Sequence, residues 1–228
     1  MSLVERPRAP RGCQIFVGLV LLASLATTAD ATVYFVRITG SDTANGLTPA
    51  TALASVNKAA SLLSNWGDSV IVGPGTYDEG NVTPPRDGIE GHPVSFIADT
   101  NGTVTGDTPG AVVLKPSGAA TTGFLLLGRH HVLIDGFTII GASDAGIQVR
   151  RSPTGIESNT ITIRNVIARD GARRGIDISA FGPVVIQHCI AQNNASAGIN
   201  IIGTAGLGAT VNLDGNNASN NRSHGFFL

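Results

Sequence analysis

The chain has 228 residues, a formal net charge of −1, 14% charged residues, 5% aromatics and 29 glycines. A charge so near zero leaves no basic footprint for nucleic acid. The length suits one domain, and much glycine with few aromatics fits a turn-rich β stack better than a helical protein.

Residues 1–31 read as a secretory signal. Arg6, Arg8 and Arg11 make a basic start, Ile15 to Leu25 is an apolar run too short to span a bilayer comfortably, and Ala29-Asp30-Ala31 offers small residues for cleavage after Ala31. The competing reading is an uncleaved membrane anchor. Cleavage would leave residues 32–228 secreted, at the cell surface or in the periplasm, with no membrane segment. Cys189 would then be the only cysteine, so no disulfide could form within the chain, and it is expected as a small buried hydrophobe.

Thr32 to Val36 is β-prone, and a polar, glycine-rich loop follows from Gly40 to Pro49. Val56, Ala59, Ala60 and Leu63 fall at i, i+3, i+4 and i+7, one face of a helix. Ser55 is placed to cap its start and Gly67 to end it. A stack of coils needs its first layer covered, and this helix is a natural lid. Asp68 to Val72 reads as a strand and Gly73 to Tyr77 as a turn. Val94/Phe96, Val112/Leu114 and Phe124/Leu126 are candidate inner pairs whose register the sequence leaves open.

From Val132 onwards one pattern occurs four times. Ile134, Ile163, Ile186 and Leu213 align; two residues earlier stand Val132, Ile161, Val184 and Val211, and two later Gly136, Asn165, His188 and Gly215. Twelve residues on comes Gly146, Gly175, Gly198 or Gly225, followed at once by Ile147, Ile176, Ile199 or Phe226. Apolar residues at i and i+2 mark strands with one buried face. Three short strands per unit make one coil, and no coil can bury its inner face alone, so coils stack into a solenoid. The Gly/Asn/His/Gly column marks a bend that needs positive φ. Asp170, Asn193 and Asn220 share another column, and Asn194 and Asn221 the next; stacked side chains of this kind are expected as a structural ladder. No His/Cys spacing resembles a zinc site.

The chain resembles secreted right-handed parallel β-helix proteins of the pectate-lyase-like superfamily. The residues that carry this are Tyr34-Phe35-Val36, Gly40-Ser41-Asp42, Gly46-Leu47-Thr48, Gly67-Asp68-Ser69-Val70, Pro74-Gly75-Thr76-Tyr77, Gly91-His92-Pro93-Val94-Ser95-Phe96 and Val132-Leu133-Ile134-Asp135-Gly136-Phe137-Thr138-Ile139. The sequence departs from the family where Leu47 splits a Gly-Thr pair and Ala52-Leu53 replaces Pro-Phe. The resemblance implies an all-β, right-handed parallel β-helix with a short N-terminal capping helix, and it covers nearly all of residues 32–228. The superfamily includes lyases, hydrolases, epimerases and adhesins, so fold alone does not choose an activity.

The resemblance also implies a groove along the strand after the glycine column, whose outward row is Gln148, Asp177, Asn200 and Phe227. Arg150, Arg151, Arg173, Arg174 and Asp144 flank that row. Arginine forks match carboxylates, so this stripe is expected either to bind an acidic polysaccharide or to be simply a solvated outer face. A β-eliminating polyuronate lyase would need a base and a means of neutralising the uronate carboxylate, often Ca²⁺. Asp177 is the best metal or acid–base residue, and Arg174 is a base by analogy. Gln148, Arg150, Arg151, Arg173 and Asn200 are then substrate contacts. The other class is a non-catalytic surface or carbohydrate-binding scaffold. Leu228 falls inside the strand begun at Phe226, so the array is expected to be truncated there and its open last coil to favour self-association.

Overall fold

The computed structural model describes residues 30–180, 182–202 and 210–228. Almost all of the signal-like segment 1–31 lies outside the described residues. From Val94 onwards each coil passes in turn through three sheets, in which all pairings between strands are parallel among the described residues. The first sheet runs Val33–Val36, Ser69–Val72, Val94–Ala98, His130–Asp135, Asn159–Arg164, Val184–Gln187, Val211–Asp214. The second runs Gly75–Tyr77, Val112–Leu114, Thr138–Ile140, Ile167–Arg169, Ile190–Gln192, Asn217–Ser219. The third runs Thr122–Leu127, Ala145–Arg150, Arg174–Ile178, Ile199–Ile201, Phe226–Phe227. The result is an all-β parallel solenoid with a single short α-helix among the described residues.

The repeat columns are the ladder register. Ile163 pairs with Ile134 and Ile186, and Ile186 with Leu213. Ile176 pairs with Ile147 and Ile199, and Ile199 with Phe226. The stretch whose register was open also resolves. Phe96 pairs with Ile134, Leu114 with Ile139 and Phe124 with Ile147, so all three candidate pairs point inward and are fully buried. Inside, Phe124 makes edge-to-face contacts with Phe96 and Phe137, at centroid distances of 5.3 and 5.1 Å. Such pairs contribute about 0.5–1.5 kcal/mol beyond burial. Cys189 is buried in the column of Phe137 and Val166, and burial pushes its thiol up to about 11, so it is a packing residue.

Two turn columns bend each coil. Gly136, Asn165, His188 and Gly215 have φ of 82, 55, 52 and 60°. Five residues later Gly141, Asp170, Asn193 and Asn220 do the same, at 73, 57, 56 and 54°. The Asp170 column is therefore a second bend as well as a ladder, in which Asn193 Nδ2 donates to Asp170 Oδ1 at 3.2 Å. Beside it, Asn194 and Asn221 form an inner amide ladder: Asn194 Nδ2 donates to Asn221 Oδ1 at 3.0 Å.

The glycine before each third-sheet strand has a different origin. A Cβ on Gly146 would lie 2.7 Å from Gly175 O, and one on Gly175 would lie 2.6 Å from Gly198 O and 2.9 Å from Ala191 Cβ. These residues need no left-handed backbone; a side chain simply has no room between coils. The column therefore brings the third sheet close to the second and fixes where the outward row begins.

The lid is the helix Val56–Leu62, with Val56, Ala59 and Ala60 buried in the core and Ser55 Oγ accepting from Lys58 N. It ends at Leu62, earlier than Gly67 would have it. The buried Asp68 carboxylate accepts from the backbone of Ser64 and Asn65, each at 2.8 Å, and also from Thr32 N at 2.8 Å. That ties the helix exit to the first strand and turns the chain before Gly67. At the other end Asp42 accepts from Ala54 N and Ser55 N, and Glu79 from Val56 N and Asn57 N.

Candidate functional site

The outer face of the third sheet carries the predicted row. Asp177 pairs with Gln148 on one side and Asn200 on the other, and Asn200 pairs with Phe227. Neighbouring strands are about 4.8 Å apart, so these side chains form one line along the solenoid. They face away from the core, yet Gln148, Asp177 and Asn200 are only 6, 4 and 4% exposed. A solvated sheet face would leave them open. Here longer side chains of the same coil and of the coil before bond to Asp177.

Arg150 and Arg174 are those side chains. Arg150 Nη2 donates to Asp177 Oδ2 at 2.7 Å and Arg174 Nη1 to the same oxygen at 3.2 Å. Asn200 Nδ2 donates to Asp177 Oδ1 at 2.6 Å. One carboxylate thus gathers residues from three successive coils. Alongside it, Asp144 takes Arg173 Nη1 on Oδ1 and Gln148 Nε2 on Oδ2, both at 2.7 Å. Arg151 stands apart, 2.9 Å from Glu157 Oε1 and donating through Nε to Gly155 O at 3.1 Å. Of the predicted residues, the structure unites Arg150, Arg174, Asp177 and Asn200 in one network, and Arg173, Gln148 and Asp144 in a second. Arg151 borders the first without joining it.

Two clefts open on this face. One of about 360 Å³ is bounded by Arg150, Arg151, Arg174, Asp177, Ser179 and Ile202. The next, about 230 Å³, shares Arg174 and Ile202 and extends past Asn200, Ser196 and His224 to Phe227. The sequence reading missed Glu157, Ser196, Ser223 and His224. The repeat offsets that align Gly146, Gly175, Gly198 and Gly225 also place Asp144, Arg173, Ser196 and Ser223 in one column, and Ala145, Arg174, Ala197 and His224 in the next. That signal was present for three of the four; Glu157 lies between units, where no offset applies. A further cleft of about 290 Å³ lies on the first sheet between Ile89, Pro93, Leu133 and Arg164, but Arg164 there is already paired with Asp135.

A family model described as right handed beta helix region matches residues 86–218. The chain belongs to the right-handed β-helix family. Among solved structures it is similar to pectate lyase Pel9A (TM-score 0.66, 19% identity), covering 87% of this chain and 50% of that one. It is also similar to a rhamnogalacturonan lyase (TM-score 0.55, 20% identity), covering 82% of this chain and 51% of that one. The chain therefore spans about half the length of either. No curated protein matches it in sequence. These likenesses show the fold, a right-handed parallel β-helix.

The Ca²⁺ expected from the resemblance does not fit this β-helix site. Ca²⁺ takes six to eight oxygen ligands. Both oxygens of Asp177 and both of Asp144 already accept from donors, and three of those donors are guanidiniums. Among the described residues no group of three or more His, Cys, Asp or Glu is placed to hold a metal ion.

Proposed function

We propose that this β-helix is a secreted, lyase-like domain whose third-sheet groove binds acidic polysaccharide. The observation that carries the reading is the charge of the groove. Among the residues bounding the two clefts, Arg150, Arg151 and Arg174 outnumber Asp177, and the clefts are neighbours that share Arg174 and Ile202. An extended anionic chain suits such a face, since successive coils present one outward position each at about 4.8 Å. That the two solved neighbours are a pectate lyase and a rhamnogalacturonan lyase supports a polysaccharide ligand.

Binding is better supported than cleavage. Arg174 Nη1 is engaged as a hydrogen-bond donor to Asp177 Oδ2 at 3.2 Å, and both Asp177 oxygens already accept from Arg150, Arg174 and Asn200. This favours the non-catalytic carbohydrate-binding scaffold over a lyase using Asp177 and Arg174. Affinity electrophoresis tests the proposal: migration should be retarded by polygalacturonate or alginate and unaffected by neutral dextran. Equal migration in all three would refute it. Ultraviolet absorbance of unsaturated products on the same polymers separates lyase from scaffold.

The basic start, apolar run and Ala29-Asp30-Ala31 support export to the cell surface, periplasm or medium; N-terminal sequencing of the exported protein would check cleavage after Ala31. Among the described residues, no helix is long and apolar enough to cross a membrane.

A further inference from the structure

We infer that Asp177 is a positioning residue for Arg150 and Arg174, and that these two guanidiniums recognise the ligand's carboxylate without a divalent cation. The inference rests on the acidic-polysaccharide reading and adds to it how the acid group is held.

An ionised carboxylate has about four lone-pair sites. Asp177 uses two on Oδ2, for Arg150 and Arg174, and one on Oδ1, for Asn200, and it is 4% exposed. A cation approaching it would have to displace guanidiniums that already neutralise it. Each arginine is in the opposite position. A guanidinium carries five N–H donors in a rigid fork, and each of these two gives a single nitrogen to Asp177. The Arg150 side chain is 41% exposed and borders the larger cleft, which Arg174 borders too. The remaining donors are thus held near an opening of about 360 Å³. Anchoring one edge of each fork on a buried anion removes the freedom that a loose arginine would lose on binding.

The Asp144 network repeats the arrangement one step away. Arg173 is fixed by Asp144 Oδ1 and its side chain is 55% exposed. Carboxylates therefore anchor arginines at the base of this groove, and the arginines present the charge. This layout selects an anion by direct contact and opposes a bridging cation.

The charge arithmetic makes the idea testable by sign. Replacing Asp177 with Asn removes one negative charge, so simple attraction predicts tighter binding of a polyanion. A positioning role predicts weaker binding, because the forks are no longer fixed, and it predicts lost preference for a planar carboxylate over sulfate. Isothermal titration of the full chain with polygalacturonate, in EDTA and then with added Ca²⁺, is the experiment. Wild type should bind equally in both. D177N should bind about tenfold or more weakly, as expected from losing hydrogen bonds to charged groups, and should no longer favour polygalacturonate over dextran sulfate. Should D177N not fold, R150Q keeps the Asp177–Arg174 pair and is expected to show the same loss in EDTA. Binding by wild type only with Ca²⁺ would overturn the inference and leave the polysaccharide reading standing. Unchanged or tighter binding by D177N, or by R150Q where it stands in, would overturn the positioning role. Failure to bind any polyuronate in either buffer would overturn the reading itself.

Discussion

Asn194 offers the sharpest test of how the coils are held together. Its side chain is 2% exposed. Oδ1 accepts from Gly171 N at 3.0 Å, while Nδ2 donates to Ala168 O at 3.1 Å and to Asn221 Oδ1 at 3.0 Å. Asn194→Ala removes all three bonds. The buried Gly171 N–H is then left unpaired, which costs about 1–3 kcal/mol, and two amide donor bonds are lost at about 1 kcal/mol or less each. The expected loss is about 2–4 kcal/mol. Hydrogen exchange reads it at one atom. At about 1.4 kcal/mol per decade, the Gly171 amide should exchange roughly 30- to 700-fold faster in the variant. Asn194→Asp keeps the acceptor and loses the donors, so Gly171 should stay comparatively protected even though that variant also melts earlier. Asn221→Ala also removes three bonds, two accepted by Oδ1 from Asn194 N and Nδ2 and one donated by Nδ2 to Ala191 O, but should cost less because Asn221 is half-exposed. Unchanged protection of Gly171 in Asn194→Ala would refute the reasoning.

Two other outcomes are expected. Gly175→Ala puts a methyl 2.6 Å from Gly198 O and 2.9 Å from Ala191 Cβ, so it should destabilise by about 1–3 kcal/mol in urea unfolding through overpacking; a neutral result would show that the coils are not packed this closely. Glu79 has a pKa raised above its ordinary 4.5, chiefly because burial disfavours its charge. The folded state therefore holds this proton more tightly than the unfolded chain does. Its contribution favours folding at low pH and is lost as pH rises from about 4.5 through the raised value. Wild type should lose stability relative to Glu79→Gln over that window in parallel thermal melts; curves that stay parallel across it would contradict this.

The fold was legible because a solenoid writes its geometry into sequence offsets. Ile134, Ile163, Ile186 and Leu213 are one column in both, and the Gly136 column bends with positive φ as its residue types required. The second bend was hidden because stacking of Asp170, Asn193 and Asn220, seen in the Asn193–Asp170 bond, explains the same residue types without any constraint on φ. The glycines at 146, 175 and 198 were visible, but their reason was not. It depends on how closely one coil approaches the carbonyls of the next. The helix end was misplaced because Asp68, and not a local capping glycine, ends it. In the site, the row Gln148–Asp177–Asn200 was legible from the same offsets. Its burial was not, because one of the covering arginines, Arg150, reaches Asp177 from the coil before.

That difference bears on function as well as on prediction. Asp177 and Arg174 belong to one coil, Arg150 to the coil before and Asn200 to the coil after. No single repeat contains the site, so it exists only where three coils are stacked in register. In a solenoid, stability is carried largely by contacts between neighbouring repeats. A substitution that separates these coils, such as one at Gly175 or Asn194, should therefore weaken ligand binding without touching the groove. Changes at Arg150 should weaken binding while leaving coil stacking intact. Measuring amide protection and polygalacturonate affinity on the same variants would distinguish the two: if coil-loosening variants bind as wild type does, the site is more local than its hydrogen bonds imply.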